Sequence, residues 1–105
     1  MPREQLQGTD DVLADLGLDN AAVLAARATL AFKLNKLIDR RGLSQTETAA
    51  LTGMTQPKVS QLRRYKLQSI SLDRLMQALV SLDQEVEIVV RPAQQEHAHG
   101  ITVAA

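Results

Sequence analysis

The chain has 105 residues, with 12 basic and 12 acidic side chains, a formal net charge of zero and no cysteine. Its length fits a single domain, and without cysteine it forms neither a disulfide framework nor a zinc site made of thiolates. No apolar run approaches the roughly 18 residues of a membrane span, and the N-terminal residues do not resemble a secretory signal, so we expect a cytoplasmic protein.

The zero net charge conceals an uneven distribution of charged residues. Residues 1–20 hold one arginine against five acids, net −4, and residues 83–105 hold one arginine against four acids, net −3. Residues 21–41 hold five basic side chains against one acid, and residues 56–66 hold four basic side chains and no acid, net +4 each. Because the local field rather than the total charge steers a polyanion, nucleic acid stays a candidate partner.

Two helices are predicted in the N-terminal part of the chain. We assign residues 1–19 to an N-terminal segment in which Asp10 to Leu16 form a short helix, with apolar Val12, Leu13 and Leu16. Residues 20–41 contain no glycine or proline and carry apolar residues at helical spacing, namely Leu30, Leu34, Leu37 and Ile38. This pattern predicts one long helix, which begins a domain of residues 20–83 and ends at Gly42.

Residues 44–66 are predicted to form two short helices joined by a tight turn. Ser44 and Glu47 have the spacing of a capping box, which satisfies free backbone N–H groups at a helix start. Gly53 suits the left-handed conformation of a helix end, and Thr55 suits the N-cap of a second helix that tolerates Pro57 in its first turn. This is the pattern of a helix-turn-helix DNA reader.

The second of these helices, Gln56 to about Tyr65, is predicted to bury only a narrow stripe. Val59 and Leu62 are three residues apart and form that stripe. The other faces carry donors that suit base edges and phosphates, namely Gln56, Lys58, Ser60, Gln61, Arg63 and Arg64. An isolated charged helix is more often just a solvated face, but here the turn, both caps and the amide-rich start coincide, which favours DNA binding.

After this motif, the sequence predicts one more helix and then a strand. Ser71 can cap a core helix whose apolar stripe contains Leu72, Leu75, Met76, Leu79 and Val80. Residues 84–91 then alternate with the two-residue period of a strand, in which Val86, Ile88 and Val90 share one face. The strand needs a partner, either residues 101–103 or the same strand of a second chain. We prefer the second, which makes these three residues a dimerisation site, and we expect residues 92–105 to form a flexible tail.

The sequence resembles the small Xre/Cro-type regulators of the HigA-like antitoxin subgroup. The resemblance covers about residues 10–92 and is carried by DVLADLGL, LAFKLNKLIDRRGLSQTETAALTGMTQPKVSQLRRYK, SLDRLMQAL and EVEIVVRP. It implies a mainly α, five-helix domain like that of lambda repressor, with a C-terminal β-strand that joins two subunits. Two residues depart from the family pattern: Tyr65 replaces a glycine that usually ends the recognition helix, and Thr52 replaces an apolar core residue.

The resemblance also implies roles for individual residues. Gln45 would touch a phosphate, Arg64 and Lys66 would meet the DNA backbone, and the major groove would face Thr55, Gln56, Lys58 and Gln61. The predicted DNA-binding set is completed by Pro57 and Ser60, which belong to the same helix.

Other chemistry receives little support from the sequence. His97 and His99 have the spacing of two metal ligands, but two histidines in a polar tail are more often solvated, so we assign no metal or cofactor. Ser60, Asp73 and a histidine lack the motifs that accompany a hydrolytic triad, so we do not expect an enzyme.

The predicted function is a homodimeric repressor that binds an inverted-repeat operator in double-stranded DNA. By resemblance, it is the antitoxin of a toxin-antitoxin operon, regulates its own promoter and has a RelE/HigB-type toxin as partner. Two alternatives stay open. One is an antitoxin or adaptor that masks a protein and binds DNA weakly, which has no need of a basic, amide-rich surface at 56–66. The other is a phage-type repressor with no toxin encoded beside it.

Overall fold

The computed structural model describes residues 20–93 and 100–104 of the chain. Four helices lie in these ranges: α1, Asn20–Arg41; α2, Gln45–Thr52; α3, Gln56–Arg63; and α4, Leu72–Ser81. The prediction of a mainly α helix-turn-helix fold is confirmed. None of these four helices is long and apolar enough to cross a membrane.

Helix α1 has the bounds that its uninterrupted helical sequence predicted. Gly42 follows it with a φ of 63°, a conformation that glycine adopts without the clash of a Cβ atom. The amide of Leu43 donates to the carbonyl of Ile38 at 3.0 Å, and the amide of Gly42 donates to that of Asp39 at 3.1 Å. These two bonds satisfy carbonyls of the last turn, which a straight helix end would leave unpaired.

The local signals of the helix-turn-helix motif are also confirmed. Ser44 Oγ accepts from the amide of Glu47 at 3.0 Å, while the Glu47 carboxylate accepts from the amide of Ser44 at 2.8 Å. Gly53 ends α2 with a φ of 77°. Thr55 then caps α3 by accepting from the amide of Lys58 at 3.3 Å. The turn is therefore residues 53–55, with Pro57 in the first turn of α3.

One hydrophobic core holds the four helices together. Helix α1 packs against α3 and α4, and α2 packs against the same two helices. The largest apolar side chains with almost no exposure come from α1, α3, α4 and the segments that flank α4: Leu34, Val59, Leu62, Ile70, Leu75 and Leu82. The two buried positions on α3 are those of the predicted narrow stripe, so packing fixes the rotation of α3 about its axis.

Two threonine hydroxyls of α2 are buried beside this core. Thr48 Oγ1 donates to the carbonyl of Ser44 at 2.8 Å. Thr52 Oγ1 donates to the carbonyl of Thr48 at 2.7 Å and accepts from the amide of Met54 at 3.3 Å. A buried hydroxyl is costly mainly when it has no partner. The polar residue that replaces the apolar one of the resembled family is therefore accommodated by local hydrogen bonds.

The apolar stripe of α4 is narrower than its sequence suggested. Ser71 caps the helix as predicted, since its Oγ accepts from the amide of Arg74 at 3.1 Å. Leu72, Leu75 and Leu79 are buried, but Val80 is 55% exposed. Val80 thus lies at the edge of the core and leaves an apolar side chain on the surface of α4.

The prediction of five helices and a C-terminal β-strand is wrong for the part of the chain that the structure describes. That part contains four helices, and residues 84–91 form no strand in it. The short helix expected at residues 10–16 lies outside the described residues.

The physical reason concerns the partner that a strand requires. Val86 packs against the core, whereas Ile88 is 73% exposed and Val90 is 90% exposed. Residues 101–103, the intrachain partner that was considered, lie instead against Ala22, Ala25 and Ala26 of α1. Residues 84–91 therefore alternate in sequence but find no strand to pair with among residues 20–93 and 100–104. A strand without a partner leaves its backbone N–H and C=O groups unpaired.

Residues 101–103, which the sequence analysis placed in the C-terminal tail, pack against the helical domain. Ile101 and Val103 are partly buried against the hydrophobic core. A Cβ atom built on Gly100 would lie 3.6 Å from the Cβ of Ala22, which is an ordinary contact distance. The division of the chain into residues 1–19, 20–83, 84–91 and 92–105 stays a prediction.

Candidate nucleic-acid interface

Helix α3 presents polar side chains on every face that is not packed. Val59 and Leu62 have no exposed surface and turn one side of the helix into the core. Gln56, Pro57 and Arg64 are exposed, and the predicted contacts Lys58, Ser60 and Gln61 are half-buried. The structure therefore leaves a row of amide, hydroxyl and cationic groups on the side of α3 away from the core, which suits the polar edges of bases and phosphates.

The starts of α2 and α3 contribute further exposed groups. Gln45 is the first residue of α2, and Thr55 is the N-cap of α3; both side chains are exposed. The Thr55 hydroxyl oxygen already accepts from the amide of Lys58, which leaves its hydrogen and one lone pair for a ligand. The side-chain amides of Gln45 and Gln56 make no hydrogen bond with any described residue and are free to bind a ligand.

Two predicted base-contacting side chains are held by one residue of the loop that follows α3. Lys58 Nζ donates to the backbone carbonyl of Ser69. The Ser69 hydroxyl donates to Gln61 Oε1 at 2.8 Å. The loop thus restricts both long side chains before any ligand is present. Ser69 was not predicted from the sequence, because it lies eight residues beyond Gln61 in a segment without periodicity.

Arg63 faces α1 rather than the exposed side of α3. Its Nη1 donates to Asn35 Oδ1 at 2.8 Å and to the Asn35 carbonyl at 3.2 Å, and its Nη2 forms an ion pair with Asp39. Asn35 is buried, and its Nδ2 donates to the carbonyl of Leu62 at 3.1 Å. Arg63 and Asn35 therefore fasten the end of α3 to α1, which leaves Lys58, Arg64 and Lys66 as the cations of this region that are not bound to an acid.

Asn35, which holds the end of α3 against α1, was not predicted from the sequence. It lies between Leu34 and Ile38 in the apolar part of α1. An amide at such a position signals a specific buried partner, because an unpaired one would cost free energy. A second residue that supports the motif is Arg74 on α4, whose Nη2 donates to the carbonyl of Gly53 at 2.8 Å and so ties the turn of the motif to α4.

The end of α3 keeps the geometry of a glycine cap although it carries a tyrosine. Tyr65 has a φ of 59°. Its amide donates to the carbonyl of Leu62 at 3.1 Å, and the amide of Lys66 donates to that of Gln61 at 2.8 Å. This pair of bonds is the Schellman arrangement, which places the next residue in a defined direction. Lys66 therefore leaves the helix as it would after a glycine, and its side chain is exposed.

Replacing Tyr65 with glycine is expected to raise the free energy of unfolding by about 1 kcal/mol, because an L-residue in the left-handed region costs about 1–2 kcal/mol. The neighbouring Arg64 has a φ of −99°, so Arg64→Gly serves as the control and should lower stability by about 0.5–1 kcal/mol. Urea unfolding followed by circular dichroism measures both. A loss of stability in Tyr65→Gly would show that the half-exposed ring contributes more by packing than its backbone costs.

No group of three or more potential metal ligands lies among the residues that the structure describes. The pair His97 and His99 falls outside them.

Comparisons with known proteins agree with this geometry. Residues 12–91 match the family model described as "Helix-turn-helix domain". A solved structure of a "Putative XRE Family Transcriptional Regulator" is 46% identical, with a TM-score of 0.74, and the match covers 83% of this chain and 99% of that one. The comparison with curated proteins found no match. The chain belongs to the XRE family of helix-turn-helix transcriptional regulators.

Proposed function

We propose that the protein is a transcriptional repressor that binds a specific operator sequence through the major groove. The observation that carries this proposal is the orientation of α3. Its two apolar residues, Val59 and Leu62, are fully buried, so its side-chain amides and the cations that are not paired with an acid lie on the outer side. A helix held in this way by a helix-turn-helix fold is suited to enter the major groove with its N-terminal residues at the base edges.

The exposed groups divide into two classes of contact. Gln56, Lys58 and Gln61 lie along α3 and have the amide and ammonium donors that discriminate between base pairs. Gln45, Arg64 and Lys66 lie at the helix ends and suit phosphates, which position the protein without reading sequence. Thr55, Pro57 and Ser60 complete the surface around the start of α3.

A selection from random duplexes tests this proposal directly. The protein is expected to enrich one motif, and binding to that motif should exceed binding to unrelated duplexes by at least about 10³-fold, as is usual for specific regulators. The salt concentration is held constant throughout, because phosphate contacts make every affinity salt-dependent. Enrichment of no motif would contradict the proposal and would favour the adaptor that binds DNA weakly.

We further propose that the protein binds DNA as a homodimer. One recognition helix covers few base pairs, and two helices about 34–36 Å apart would read an inverted repeat. Support comes from exposed apolar surface: Val80 is 55% exposed, and with Met76, Val86 and Ile88 it lines a shallow groove between α4 and the segment that follows it. Ile88 and Val90, two of the predicted dimerisation residues, extend this apolar surface.

The double variant Ile88→Asp/Val90→Asp is expected to sediment as a monomer and to bind the operator at least tenfold more weakly, because two charges would have to be desolvated in the interface. Leu24 on α1 is 54% exposed, so Leu24→Asp serves as the control and should leave both properties unchanged. Analytical ultracentrifugation and operator titration measure the two effects. A wild-type protein that stays monomeric at high concentration, or a double variant that stays dimeric, would contradict this interface.

The antitoxin role is proposed on the sequence resemblance alone. A RelE/HigB-type toxin would present cations to RNA, and residues 1–20, with net −4, would attract such a partner. The neighbouring reading frame provides the test. A frame that encodes a small basic ribonuclease neutralised by this protein supports the role, and its absence favours the phage-type repressor.

A further inference from the structure

Ser69, in the loop between α3 and α4, is placed to control how one base-reading side chain is presented. Its carbonyl accepts from Lys58 and its hydroxyl donates to Gln61. Lys58 and Gln61 are three residues apart and therefore lie on the same face of the helix. Since the side chains of Lys58 and Gln61 are otherwise long and mobile, contacts to one loop residue restrict them to a common orientation.

In the structure, the hydrogen bond from Ser69 engages the oxygen end of the Gln61 amide. A glutamine amide has one oxygen that accepts and one nitrogen that donates two hydrogen bonds. The Ser69 hydroxyl lies 2.8 Å from Oε1, so the oxygen is turned to the loop and the Nε2 donor is turned away from it. No described residue accepts a hydrogen bond from Nε2, which leaves both of its hydrogens for a ligand.

The chemistry of base edges then decides which base this arrangement suits. An amide reads adenine by accepting from N6 and donating to N7, whereas guanine presents two acceptors, N7 and O6. Because the Gln61 oxygen is turned to the loop, the amide presents its donor end to a base, which suits the two acceptors of guanine better than adenine, whose N6 must also donate to that oxygen. We propose that Ser69 is a positioning residue that makes Gln61 a donor and biases it towards guanine. This inference rests on the proposed operator binding.

The test compares base preferences selected by four proteins: wild type, Gln61→Ala, Ser69→Ala and Ser69→Thr. Gln61→Ala identifies the base pair that Gln61 reads, because the preference there should be lost. At that same pair, Ser69→Ala should reduce the preference for guanine over adenine by about 3–10-fold, the effect of one lost hydrogen bond. Ser69→Thr keeps the hydroxyl and should keep the preference.

Several results would overturn the inference while leaving the proposed function intact. One is an unchanged base preference in Ser69→Ala, and another is an equal loss of affinity for every sequence, which would make Ser69 a purely structural residue. The double variant Gln61→Ala/Ser69→Ala should show no change at this pair beyond that of Gln61→Ala, and an additive change would also overturn it. If the wild type enriches no motif, the proposed function and the inference fail together.

Discussion

Replacing Leu62 with alanine is expected to lower the free energy of unfolding by about 2–5 kcal/mol, the range measured when a large buried side chain is truncated. Leu62 has no exposed surface and lies on α3, so its loss leaves a cavity on the packed face of the recognition helix. Because small domains have a total stability of about 5–15 kcal/mol, the variant should be partly unfolded at moderate urea concentrations. Urea unfolding followed by circular dichroism measures the change.

Leu51 on α2 provides a matched control for this variant. It is the same residue type and is also helical, but it is 50% exposed. Leu51→Ala is expected to change stability by about 0.5 kcal/mol or less, as surface substitutions usually do. If Leu62→Ala were as mild as this control, α3 would not be packed on the core as described, and its proposed orientation towards DNA would lose its support.

Alanine variants of α3 are expected to affect operator binding in two distinct ways. An amide pairs well with adenine and an ammonium group with guanine, each good bidentate contact being worth about 1–3 kcal/mol of discrimination. Gln56→Ala and Lys58→Ala should therefore relax the preference at one base pair of each half-site. Arg64→Ala should instead weaken binding to all sequences and reduce the salt slope by about one, because it removes a phosphate contact.

Selection and titration at several salt concentrations distinguish the two classes. Leu24→Ala provides the control, since Leu24 is exposed on α1, outside both the candidate interface and the proposed dimer surface, and it should bind the operator like the wild type. If Gln56→Ala weakens all sequences equally, Gln56 contacts the backbone rather than a base. If Arg64→Ala leaves both affinity and salt slope unchanged, Arg64 is outside the interface.

The local features of the fold were predictable because the interactions that create them span only a few residues. The capping box of Ser44 and Glu47, the left-handed Gly53 and the N-cap of Thr55 each involve groups within four residues of one another. Residue spacing is then enough to predict where helices begin and end. The narrow stripe of Val59 and Leu62 was predictable for the same reason, and with it the outward side of α3.

The strand at residues 84–91 was predicted wrongly because its formation depends on a distant partner. Alternation of apolar residues indicates an extended segment with two unlike faces, but a ladder of hydrogen bonds has to come from elsewhere. The residues that were considered as an intrachain partner, 101–103, pack on α1 instead. Exposure of Val80 was likewise unpredictable, since the width of the core at α4 depends on the helices packed against it.

The sequence by itself determined the helix ends, the turn of the motif and the polar character of α3. Only the tertiary structure decided what each polar side chain of that helix does. Arg63 and Gln61 are both hydrophilic residues of one helix, but Arg63 binds Asn35, 28 residues away, while Gln61 is held by Ser69 in the next loop. Such contacts depend on which elements meet in space, because a hydrogen bond between long polar side chains requires a suitable distance and angle, which sequence spacing does not give.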